Sequence, residues 1–279
     1  MTQNKHPFTI FLVICLLMLS ACQPAQSSTP APNVETVVAQ TLEALTAAAP
    51  SPIPASGLPV SYNNVSFSIP LELNASASPS TSTEVEFPAI NPSGGPMAEH
   101  LVFQFTNFPI QGDARIMVFK ASEYATYGPS FQDAVTALIS GQDASVPLPD
   151  SLLQGDFYAQ VKPVNFQNGH GVRYLNQVLM NIAPITNEDL FYYYQGITDD
   201  GAYFVSAFFH VNASFLVADG KLDSVTPPDG IAFDDSPSLD FPAYLSAVTQ
   251  KLNDTPAENF TPSLLMLDQI IESITVTAP

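Results

Sequence analysis

The sequence predicts an α+β fold, an α/β/α sandwich in which a central antiparallel sheet is covered by helices on both faces. Two observations predict it. The first is Leu190–Val211, where Asp200-Gly201 marks a hairpin turn between two strongly apolar runs. With that register one face carries Phe191, Tyr193, Ile197, Phe204 and Phe208, and the other carries Leu190, Tyr192, Tyr194, Val205, Phe209 and Val211. A sheet wetted on one side alternates apolar with polar, so this hairpin reads as central and covered twice. The second is a set of three amphipathic helical stripes, enough to supply both covers.

The chain opens with Lys5 and an apolar run, Phe8–Leu19, closed by Leu19-Ser20-Ala21-Cys22. The run has the length of a signal-peptide core and is short for a membrane span. This start resembles a bacterial lipoprotein signal peptide ending in a lipobox. The resemblance implies cleavage before Cys22, acylation of Cys22, and a membrane anchor facing the extracytoplasmic side. Cys15 would leave with residues 1–21, so the mature chain would keep Cys22 as its one cysteine and form no internal disulfide. Residues 22–57 then form a tether rich in Pro, Ala, Ser and Thr. As a coil its reach is about 30–35 Å. Val34, Val37, Val38, Leu42 and Leu45 fall at helical spacing inside it, with Asn33 as a cap. The Val-Glu-Thr-Val-Val-Ala-Gln-Thr-Leu stretch resembles tethers of Chloroflexota lipoproteins.

Residues 58–279 read as a single domain. Val60, Tyr62, Val65, Phe67 and Ile69 alternate around Asn63-Asn64 and predict a hairpin with a two-residue turn. Pro70–Pro96 reads as a long polar loop with a short strand at Glu84–Phe87. Strands are expected at Glu99–Asn107 and Arg115–Ala121. A helix is expected from a Ser130 cap, with Phe131, Val135, Leu138 and Ile139 inward. Gly171–Ile182 alternates as a half-buried strand. Asp240 precedes a helix with Tyr244, Leu245, Val248 and Leu252 inward. Thr261-Pro262 opens the last helix, with Pro at its first position and Leu264, Leu267, Ile270, Ile271 and Ile274 as its stripe.

Three stretches together resemble the PsbP-like fold. They are Tyr62-Asn63-Asn64-Val65-Ser66-Phe67-Ser68-Ile69-Pro70, then Gly196-Ile197-Thr198-Asp199-Asp200-Gly201, and a closing helix into Glu272-Ser273-Ile274. The chain has no Trp, so the aromatic usual after the first strand pair of that family is missing. The resemblance implies binding and assembly roles and supplies no catalytic residues.

The net charge is −19, and removal of Lys5 with the signal would make it one unit more negative. The remaining basic residues, Arg115, Lys120, Lys162, Arg173, Lys221 and Lys251, are scattered. Nucleic-acid binding needs clustered cations and is not expected. Anionic headgroups would repel the domain, which leaves the lipid as the expected membrane contact.

No Gly-x-Ser-x-Gly, Ser-x-x-Lys, His-Glu-x-x-His or P-loop motif occurs, so no catalytic residue is assigned. No metal site is assigned either. The residues that come nearest to one are His100, His170 and His210, for zinc in a metal-assisted hydrolase, and Asp219, Asp223, Asp234 and Asp235, for calcium in an adhesion module. Neither set has the local spacing of a ligand motif. Tyr124, Tyr127 and Tyr158 are read as loop packing, with an exposed ligand-lining role as the alternative. The expected function is a non-enzymatic binding or assembly module, anchored to the membrane through lipid, for another surface protein or a small ligand.

Overall fold

A computed structural model describes residues 57–82, 99–127, 129–141, 157–179, 181–221, 223–234, 236 and 239–278. The chain divides into two units, Met1–Ile53 and Pro54–Pro279, and all described residues belong to the second. Cys22, the expected tether up to residue 56 and the expected strand at Glu84–Phe87 lie outside them, while Gly57, read as the last tether residue, opens the first strand.

The unit holds two antiparallel sheets. Strands β1 (Gly57–Tyr62) and β2 (Val65–Pro70) form a hairpin, and β10 (Thr275–Val276) pairs with β2 to make a three-stranded sheet. Tyr62 pairs with Val65 across Asn63-Asn64, as the sequence predicts, with Asn63 at φ 50°. The larger sheet has seven strands in the order β3-β4-β5-β9-β8-β7-β6. These are β3 (Ser76–Ser82), β4 (His100–Thr106), β5 (Ala114–Lys120), β6 (Ala159–Pro163), β7 (Gly169–Asn176), β8 (Phe191–Thr198) and β9 (Tyr203–His210). Strand β3 corrects the expected loop. Its sequence is polar because it is an edge strand, mostly exposed, and Pro79 within it blunts further pairing.

The β8–β9 hairpin is interior, and its two faces are those read from the sequence. Leu190, Tyr192, Tyr194, Val205, Phe209 and Val211 belong to one apolar cluster, and Phe191, Tyr193, Ile197, Phe204 and Phe208 to another. Its turn is longer than two residues. Gly201 N–H donates to the Thr198 carbonyl at 2.7 Å, and Gly201 takes the left-handed region at φ 71°, where a side chain is disfavoured.

The first cluster also contains β1–β2 residues and the inward faces of α3 (Phe241–Asp254) and α4 (Leu264–Glu272). Asp240 caps α3 by accepting from Ala243 N–H. Tyr244, Val248 and Leu252 are buried, and the whole expected stripe of α4 from Leu264 to Ile274 is at 0% exposure. Full burial of each such aliphatic side chain is worth about 1.5–3 kcal/mol. Helix α4 begins at Leu264 with Ser263 as its cap, so Pro262 lies before the helix rather than at its first position. The second cluster holds residues of α1 (Ala121–Tyr124) and α2 (Pro129–Ile139), including Tyr124, Val135 and Leu138. Helix α2 starts at Pro129, which puts Ser130 inside the first turn instead of at the cap. Ile139 is 60% exposed and leaves the expected stripe.

Strand β7 also departs from expectation. It ends at Asn176, and it is buried on both faces, with Arg173 at 2% exposure. Asn181 and Ile182 beyond it are exposed.

Candidate functional site

The edge strand β6 carries a bulge with a positive-φ residue next to a surface groove. Its pairing with β7 slips between Ala159 and Lys162, a bulge. At the slip Gln160 sits at φ 54°, a left-handed conformation that costs a non-glycine residue about 1–2 kcal/mol. Its surroundings hold it there. Gln160 N–H donates to Asn253 Oδ1 at 2.6 Å, and its carbonyl accepts from Arg173. Its side-chain amide donates to the carbonyls of Leu252, Asn253 and Thr255, at 2.8, 3.2 and 2.7 Å. These carbonyls lie at the C-terminal end of α3, where Leu252 also accepts the Thr255 backbone N–H, so one side chain from β6 caps that helix.

Beneath β6 lies a buried ionic network. Asp268 of α4 accepts from Tyr192 Oη at 3.0 Å and from Lys162 Nζ at 2.8 Å. Arg173 Nε lies 3.3 Å from the same carboxylate, at ion-pair distance but without hydrogen-bond alignment. Burial first, and then the Asp268 charge, push the Tyr192 hydroxyl well above its ordinary pKa. Glu272, one turn along α4, is also raised, mainly by burial and next by Asp268. Both carboxylate oxygens of Asp268 are engaged and its side chain is 3% exposed. The network therefore joins α4 to β6, β7 and β8.

The groove runs along α3. Phe157, Tyr158, Phe241, Pro242, Leu245 and Ser246 line it, with Thr249, Gln250 and Asn253 further along, and its volume is about 770 Å³. That size falls within the ordinary range of small-ligand sites. Tyr158 is 37% exposed and its ring stands edge-on against Tyr174, 5.1 Å between centroids. Phe241 stacks on Tyr244 at 6.1 Å. Of the tyrosines set aside as loop packing, Tyr158 thus lines the groove, Tyr124 is buried at 1% exposure against Phe204, and the Tyr127 side chain lies outside the described residues.

The three histidines do not converge. His100 and His170 lie in one row of the large sheet, linked through Phe119, Phe204 and Ile197. Four strand spacings put them about 19 Å apart. His210 is at the other end of β9, six residues from Phe204 and about 20 Å along the strand. Each has a local role. His100 stacks on Phe119 at 4.5 Å. His170 Nε2 meets the Leu138 carbonyl at 3.0 Å, at the end of α2. His210 packs against Phe208 and the Gly112 backbone.

The acidic loop is likewise divided. Asp219 binds Lys221 and Ser224, and those hydrogen bonds hold its carboxyl at about 2. Asp229 lies 3.8 Å from Lys251 Nζ, Asp234 accepts from Ser236, and Asp240 caps α3. Asp223 is exposed, and Asp235 lies outside the described residues. Among the described residues no three His, Cys, Asp or Glu come together as a metal group.

Sequence reasoning missed the polar end of the second sheet face. Arg115, at 2% exposure, pairs with Asp113 at 3.0 Å, and Gln104 donates to Asp113 at 3.1 Å. In the same region Asn176 is fully buried, and neither side-chain polar atom has a hydrogen-bond partner. Asn176 is in phase with Val172 and Tyr174 on the inward row of its strand, and residue type alone does not show that a polar side chain there is fully buried. No family model, curated protein or solved structure matches the chain.

Proposed function

We propose that this chain is a lipoprotein, anchored through acylated Cys22 on the extracytoplasmic side of the cell membrane, whose domain binds a small ligand or surface partner without catalysing a reaction. The observation that carries the binding reading is the groove along α3. Its walls are fastened by the Gln160 clamp, and none of its lining residues is charged. Walls fixed before binding lower the ordering cost of binding. The lipobox-like start supports the anchor. No helix among the described residues is long and apolar enough to cross a membrane. Two apolar clusters, one with α3 and α4 and the other with α1 and α2, support a layered domain with helices over both faces of the large sheet.

Two measurements test the reading. Metabolic labelling with an alkyne fatty acid should mark the wild-type chain and leave Cys22→Ser unlabelled and released from membranes. A fragment panel mapped by NMR on the full chain should perturb Tyr158, Phe241, Ser246 and Thr249. Perturbations confined to Asp113, Arg115, Asn176 and His210 would overturn the assignment of the groove.

A further inference from the structure

We infer that the groove along α3 takes a neutral, hydroxylated ring ligand of the saccharide class. This rests on the reading of the groove as the binding site. The chain has a net charge of −19, yet the nine groove residues are all uncharged. An anionic ligand meets repulsion from the whole molecule and no cation in the lining. A cationic ligand is drawn to the molecule but finds no carboxylate in the lining to pair with. A neutral ligand meets neither obstacle.

The lining supplies the two kinds of contact such a ring needs. Phe241 is a partly exposed ring held by Tyr244 and Phe233, and Tyr158 stands at the rim of the groove on the sheet edge, its ring edge-on to Tyr174 of the other sheet face. An aromatic face so fixed is a stacking platform for a ring with an apolar side. The polar contacts come from α3 itself, where Ser246, Thr249, Gln250 and Asn253 continue at helical spacing the stripe that Pro242 and Leu245 begin. The stripe extends about 16 Å, long enough for a short chain of rings.

Its polar groups are already oriented. Gln250 Nε2 donates to Asp254 at 2.9 Å, which turns its carbonyl oxygen into the free acceptor. Asn253 Oδ1 accepts from Gln160 N–H, which leaves its amide N–H groups as the donors. The hydroxyls of Ser246 and Thr249 do both. A row of acceptor, donor and ambivalent hydroxyl groups suits sugar hydroxyls, which themselves donate and accept.

The test titrates maltotriose, cellotriose and chitotriose into the full chain in a zwitterionic detergent that carries no sugar, with trigalacturonate as the charged control. The expected result is saturable binding of at least one neutral trisaccharide, with NMR shifts at the groove and weaker binding of the charged one. Tyr158→Ala should weaken binding about tenfold, beyond any loss of stability from the Tyr174 contact, which a melt of the same variant measures separately. Gln250→Leu provides a second variant on an exposed position and should weaken it as well. Failure of every neutral trisaccharide at millimolar concentration would overturn the saccharide class, as would binding that both variants leave unchanged. A fragment panel that still maps to the groove would then leave the groove as a binding site. Fragments that miss it as well would remove both readings.

Discussion

Arg173 Nε lies 3.3 Å from Asp268 Oδ1, and this pair joins the interior of β7 to α4 with both side chains at 3% exposure. Asp268→Asn takes the carboxylate away from the buried Arg173 and should therefore cost about 3–5 kcal/mol. Arg173→Met should cost less, because Lys162 and Tyr192 still meet the Asp268 carboxylate. Replacing both, Arg173→Met with Asp268→Leu, should recover much of that loss, because no charge is then left buried. Urea denaturation of the four proteins checks this. A double variant no better than the worse single variant would show that the network does more than satisfy its own charges.

Gln160 offers a separation of backbone strain from side-chain contact. Gln160→Ala and Gln160→Gly both lose the amide that caps α3, but glycine occupies φ 54° without a side-chain penalty. The glycine variant should be the more stable of the two by about 1 kcal/mol, and both should fall below the wild type. Asn253→Ala removes a different bond, the one from the Gln160 backbone N–H, so a cycle with Gln160→Ala reads only coupling carried through the shared backbone of the bulge. Additive losses would mean that the clamp does not act as a unit.

Gly196 is required by a close approach. A Cβ built there would lie 2.3 Å from Tyr194 Oη, and that ring is fully buried and hydrogen-bonded to the Val164 carbonyl at 3.1 Å. Gly196→Ala should destabilise by about 1–3 kcal/mol through overpacking. Tyr194→Phe, which loses only the hydrogen bond, should cost about 1 kcal/mol. Thermal melts of both variants give the comparison, and a neutral Gly196→Ala would mean that the sheet relaxes around the added methyl.

What the sequence made legible was apolar periodicity. The β8–β9 faces, the Asn63-Asn64 turn and the stripes of α3 and α4 all follow from the spacing of large apolar side chains, which long-range packing does not override. The misses share a different cause. Strand β3 is written in Ser, Thr and Pro, and only its pairing with β4 makes it a strand. Arg173 falls on the polar row of its strand and looks solvent-facing, and its burial, like that of Asn176 and Arg115, depends on elements far away in sequence. The groove was missed for the same reason, because Phe157 and Tyr158 meet α3 across more than eighty residues. The histidine and aspartate candidates were chosen by residue type, and type does not report distance.

His210 should make stability fall as pH drops below neutral. Its pKa is lowered, chiefly by burial, although Asp113 from the β4–β5 connection and Glu188 and Asp189 from the segment before β8 oppose that shift. Arg115 pairs with Asp113 and blunts that opposition. The folded state thus holds the imidazole neutral at a pH where the unfolded chain takes up a proton. The stability is fully present above the ordinary histidine range near 6.5 and is lost as pH falls through the lowered folded value. His210→Gln should flatten the dependence of the melting temperature on pH between about 7.5 and 5.5, relative to the wild type. An unchanged slope in that variant would assign the acid sensitivity to another group.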